Sequence, residues 1–125
     1  MTGFTKSSMT LGVLVFLLSF SITFGEVNTT KEVTIKGRVI DPVCLITMNM
    51  KGEGHRECAL NCAKAGENLA IMAENGKIYP ILAQKAVTNP NRPVLDYVEK
   101  TITVKGDIIE MGGVGYIVIK EVKGS

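Results

Sequence analysis

The chain has 125 residues, 46% of them hydrophobic and 21% charged, with a formal net charge of +2. That length holds one domain rather than two, and the near balance of charge argues against both disorder and a strongly basic nucleic-acid binder. All four Phe lie within the first 24 residues; beyond them there is no Trp, one His (His55) and three Cys (Cys44, Cys58, Cys62).

Residues 1–25 read as a targeting segment. Lys6 supplies an early positive charge, no charged residue follows from Met9 to Phe24, and the apolar centre runs from Leu11 to Leu18. Charge, then an apolar run of about 7–15 residues, then small residues is the layout of a secretory signal peptide. Thr23 and Gly25 place small residues before a cut at Glu26. The run falls short of the roughly 20 apolar residues that a membrane span needs. The expectation is an exported protein, periplasmic or secreted, with residues 26–125 as its single domain and no membrane span once the signal is removed. That domain carries 13 basic and 12 acidic residues, and its only aromatics are Tyr79, Tyr97 and Tyr116. A core built this way gains from a covalent or metal cross-link.

Asn28-Thr29-Thr30 is an N-x-T sequon, relevant only in a eukaryotic host. Residues 33–40 alternate apolar and polar, are rich in β-branched side chains and end at Asp41-Pro42, which predicts a strand with Gly37 as a bend. Cys44 to Glu53 has no clean period and reads as a loop. His55 to Ala65 carries helix formers and stops at Gly66, with Gly54 as the expected N-cap and Glu57 three positions on. Residues 69–73 and 77–82 flank Asn75-Gly76, a strong hairpin signal, and Pro80 puts the second strand at an edge or a bulge. Residues 89–93 form a loop, 94–99 a short helix, and 101–109 and 116–122 two more strands that turn over Gly112–Gly115.

Residues 33–40 and 102–109 match at Thr, Lys, the central Gly and the final Ile. A central Gly suits a strand that bends round a small barrel. The pattern therefore predicts a mainly β fold: a five-stranded OB-like barrel with a Cys-bearing helical insertion between strands 1 and 2 and a short helix between strands 3 and 4. A small open sandwich is the structural rival.

Such a barrel does not name a function. Base stacking in a basic groove is not expected from three Tyr and a near-neutral surface, so no nucleic-acid partner is expected. A Ser-His-Asp triad has only Ser125 to draw on in the mature chain, and there is no Walker-type loop and no Cys-x-x-Cys. What remains lies between residues 41 and 62. Cys58 and Cys62 are one helical turn apart on one face, which suits two ligands of one ion and suits a mutual disulfide poorly. His55 and Cys62 are separated by about 10.5 Å along a helix at ~1.5 Å per residue, so they share an ion only if His55 sits at or before the first turn. The sharp expectation is a site of three thiolates, Cys44, Cys58 and Cys62, with His55 as a conditional fourth ligand. Thiolates favour Zn(II) or Cu(I) over Mg or Ca. Met48 and Met50 are either further thioether donors or core gap-fillers. The alternative is a disulfide from Cys44 to Cys58 or Cys62 in a metal-free interaction module, its partner another envelope protein. A catalytic Cys58–His55 pair lacks an identifiable orienting group, so no enzyme is expected.

The pattern Gly37-x-Val39-x-Asp41-x-x-Cys44, then Gly54-His55-x-x-Cys58-Ala59-x-x-Cys62-x-x-x-Gly66, then Val104-x-Gly106, resembles a group of small exported bacterial proteins. They combine an OB-like domain with a Gly-His-x-x-Cys-Ala-x-x-Cys insertion. The resemblance covers nearly all of the mature chain and implies a bacterial periplasmic or secreted setting with a shared His/Cys site. It implies no activity. Separately, Asp41-Pro42-Val43-Cys44 is similar to the opening of the YHS metal-associated domain. Here Leu45-Ile46-Thr47 precede Met48 where that motif has a single Gly, and no Tyr-His-Ser follows.

Overall fold

In the computed structural model, Gly3 and residues 29–124 are described. The expected signal segment (Gly3 apart), its expected cut before Glu26 and Asn28 of the sequon lie outside the described residues. The strands are β1 (Thr29–Ile40), β2 (Ala70–Ala73), β3 (Ile78–Leu82), β4 (Thr101–Met111) and β5 (Val114–Gly124). They close into a barrel in the order β1-β2-β3-β5-β4, with β3 parallel to β5 and the other pairs antiparallel. Between β1 and β2 stand α1 (Pro42–Met48), a 3-10 turn at Glu53–His55 and α2 (Arg56–Lys64), and a second 3-10 turn at Leu95–Tyr97 precedes β4. The expected mainly β barrel with a helical insertion after the first strand is the observed architecture. Among the described residues, no helix is long and apolar enough to cross a membrane.

Four local expectations are corrected. The stretch read as a loop after Asp41 forms α1, because Asp41 caps it with Oδ1 accepting from the Cys44 N–H at 3.0 Å, Pro42 opens its first turn, and Asn49 ends it at φ 53°. Seven residues are too few for a helical period to show, so the caps are the readable signal. Helix α2 is entered through the 3-10 turn with His55, not Gly54, at its N-cap, and no side chain caps it. The short helix expected over 94–99 shrinks to the 3-10 turn at Leu95–Tyr97. Between β4 and β5 only Gly112 and Gly113 turn, at φ 59° and 80°, while Val114 and Gly115 already pair in β5.

Pro80 faces Ala70 of β2, and pairing of β3 with β5 begins one residue later at Ile81. The ring thus lies where no ladder donor is required. The core is aliphatic: Val39, Ile71, Ile81, Ile102, Val104 and Ile117 fill the barrel, and Ala59 and Ala63 of α2 join them with no exposure. Two alanines one turn apart let the helix axis approach closely. Beyond them, Gly66 at φ 105° ends α2, with the Gly66 N–H bonded to Ala63 O at 3.2 Å and the Glu67 N–H to Cys62 O at 3.0 Å. Buried Asn91 fastens this end, accepting from the Leu69 N–H at 2.8 Å and donating to Glu67 O at 2.7 Å and Ala63 O at 3.3 Å.

The echoed glycines mark close backbone approaches. A Cβ on Gly37 would stand 2.6 Å from Met72 O, and one on Gly106, at the irregularity in the β4–β5 ladder, would collide with Val118 O. Gly37→Ala and Gly106→Ala are each expected to cost about 1–3 kcal/mol of stability, as overpacking does. Gly54→Ala, with open space around its Cβ position, is the neutral control. Urea unfolding of the three variants checks the ranking.

Candidate metal centre

The buried stripe of α2 decides where its cysteines point. Cys58 and Cys62 each precede one of the core alanines, about 100° round the helix, so they sit on the flank of the buried face. Cys58 is exposed and Cys62 half-buried, and both line an open depression with Gly54, Glu57, Asn61 and Ala65. Cys44 approaches from α1 and is buried. All three are free thiols.

His55 is 4% exposed, and its Nδ1 donates to Glu99 Oε1 at 3.0 Å. In the tautomer that carries its proton on Nδ1, Nε2 keeps a lone pair. Glu99 is itself fixed: Oε2 accepts from the Gly52 N–H at 2.9 Å, and its own N–H bonds to Val39 O at 2.8 Å. Arg56 ties the start of α2 to the same region, donating to Val98 O and Asp96 O, each at 3.1 Å.

These elements bring the site residues together in two groups. Donor atoms of Cys44, His55 and Cys58 lie within 4.8 Å of one another, and so do those of Asp41, Cys44 and Cys62. The groups share Cys44; neither contains both Cys58 and Cys62, or both His55 and Cys62. His55 does sit ahead of the first turn of α2, as joining the cluster requires, but its company is Cys58 and Cys44. Met48 and Met50 are 57% and 40% exposed and fill no core gap.

Among the described residues, three buried side-chain nitrogen or oxygen atoms have no hydrogen-bond partner: His55 Nε2, Asp41 Oδ2 and Glu67 Oε1. All three belong to residues of this cluster or beside it. A buried polar atom without a partner is costly, and a bound cation relieves that cost for a lone pair as a donor would. The electrostatics agree. Burial, then the Asp41 carboxylate and the two neighbouring thiols, pushes the Cys44 thiol up to about 12. Burial and then Asp41 raise Cys62, and the same two causes raise Glu67. Asp41 stays below the usual carboxylate range: burial works to raise it, but the hydrogen bonds it accepts, the Cys44 N–H first, outweigh that. Without a cation, then, Cys44 and Cys62 hold their protons more tightly, first because they are buried and then because the Asp41 carboxylate lies beside them.

Sequence reasoning found Cys44, His55, Cys58 and Cys62 and missed Asp41, Glu67 and Glu99 as site residues. Asp41-Pro42 is a legible helix start, and a helix there would have aimed Asp41 at Cys44. Glu67 follows the Gly66 stop that returns the chain over Cys62. Glu99, 44 residues from His55, has no sequence signal. Compared with known proteins, the chain matches no family model, no curated protein and no solved structure.

Alkylation of the metal-free protein at mildly alkaline pH is expected to modify Cys58 first, Cys62 next, and Cys44 only on unfolding. Peptide mass analysis over time reads the order, and equal rates for Cys44 and Cys58 would contradict this geometry. The raised Cys44 value also links to stability. The folded thiol holds its proton to about 12 and the unfolded one to 9.0, so its contribution is complete below 9.0 and is lost as pH rises toward 12. Urea midpoints of the metal-free wild type and Cys44→Ala are expected to converge over that range.

Proposed function

We propose that the protein binds a soft or borderline transition metal, Zn(II) or Cu(I), through Cys44, Cys58 and His55, with Cys62 alongside. On this reading it handles or senses that metal in the cell envelope and carries out no turnover. The observation that carries the reading is the His55 ring: buried, held through Nδ1 by a buried carboxylate, with Nε2 left without a partner and one ring nitrogen within 4.8 Å of the Cys44 and Cys58 sulfurs. Metal-bound histidines are held in this way, the second nitrogen donating to a carboxylate that fixes the ring and raises its basicity. Thiolate and imidazole donors together select Zn(II) or Cu(I) over hard cations.

Exposure supports exchange over permanent storage. A structural zinc is closed by four protein ligands, whereas three donors with Cys58 at the surface leave a coordination position for an incoming ligand. The export signal expected in residues 1–25 supports an envelope setting.

Glu99 does provide the orienting group that a Cys58–His55 nucleophile needs. That enzymatic arrangement gives no role to Cys44, a buried thiol with its proton held tightly, whereas an ion uses it as a ligand. The disulfide alternative draws on the same proximity of Cys44 to Cys58 and Cys62.

Native mass spectrometry of the full chain, purified anaerobically without chelator or reductant, separates these readings. A bound metal lost in acid is expected, and His55→Ala is expected to lose the ion held by Cys44, Cys58 and His55. Glu99→Gln, which keeps the shape but weakens the support of His55, is expected to lower affinity ~10–100-fold. A metal-free protein two hydrogens lighter than the reduced chain would overturn the reading in favour of the disulfide.

A further inference from the structure

An ion between Cys44, Cys58 and His55 accounts for only one of the three unpartnered buried atoms, His55 Nε2. Asp41 Oδ2 and Glu67 Oε1 remain, and neither residue belongs to the group of Cys44, His55 and Cys58. Asp41 has no exposure at all; its Oδ1 is spent on capping α1, and around its second oxygen stand only the Glu67 carboxyl and the cluster's thiols. With Cys62 and Cys44 it forms the second group of donors within 4.8 Å, which shares nothing with the first except Cys44.

We propose that the cluster binds two metal ions with the Cys44 thiolate bridging them, His55 and Cys58 completing the first site and Asp41 and Cys62 the second. Glu67 stands beside the second site, returned over Cys62 by the Gly66 turn. This rests on the metal-binding reading above and extends it from one ion to two. The bridging role falls to the one cysteine that belongs to both groups and is buried, where no solvent competes for its lone pairs. Each ion that enters takes the place of protons on its ligands, so filling the second site releases protons to solvent.

The test is a count of ions. The metal-free full chain is titrated anaerobically with Zn(II), and bound ions are counted by native mass spectrometry. Wild type is expected to take up two, Cys62→Ser and Asp41→Asn one each, and Cys44→Ser to lose tight binding at both sites. A wild type that saturates at one ion overturns the two-ion centre and leaves the metal-binding reading standing; no ion at all overturns both. A second ion that persists in both Cys62→Ser and Asp41→Asn is bound elsewhere and also overturns the proposal. Cadmium NMR of the wild type needs no variant to fold: two resonances are expected, and a single one overturns the bridge.

Discussion

Glu99 stands where the barrel meets the insertion, its backbone N–H and both carboxylate oxygens all engaged. The N–H is bonded to Val39, one carboxylate oxygen to the Gly52 N–H and the other to His55. It takes up a left-handed backbone at φ 62° to do this, a conformation that costs a residue with a side chain about 1–3 kcal/mol. Hydrogen bonds to a buried carboxylate are among the stronger ones, roughly 1.5–3 kcal/mol each, and two of them offset that strain. The strain persists because neighbouring structure over-determines it. The consequence is a ring of His55 that cannot rotate away from the thiols, and the geometry of the whole centre follows from that.

The barrel serves the site mainly by giving the insertion something flat and apolar to lie on. Ala59 and Ala63 press α2 against the core, and a helix held on one stripe has its other side chains placed in advance. Cys58 and Cys62 therefore diverge in exposure although they share a helix face: one leans toward His55, the other toward Asp41. Helix α1 is held at its start by the same Asp41 that offers an oxygen to the cluster. Capping and membership of the donor cluster thus meet in one side chain.

Legibility in the sequence follows the range of the interactions. The barrel is readable because alternation within each strand, the Asn75-Gly76 turn and the paired glycines at 37 and 106 are local signals. The cysteines and His55 are readable as a cluster because they crowd into one insertion. Their partition into two groups is not, because it depends on the turn that precedes α2 and on a helix of seven residues whose opening Asp-Pro also serves as the end of a strand. Glu99 is beyond reach for a different reason. It is one carboxylate among many on the chain, and only closure of β1 on β4 brings it under the insertion.

That separation bears on how such a centre could be moved. Asp41, Cys44, His55, Cys58, Cys62 and Glu67 fall within a single stretch that leaves β1 and returns to β2, so the stretch looks like a cassette that another five-stranded barrel could receive. The glutamate that orients the imidazole lives in the host. A graft that carried the cassette alone would deliver the thiols and carboxylates but leave the ring loose, and the proposed metal capture would be weaker and less selective there. A recipient with a left-handed glutamate just ahead of its fourth strand would restore it.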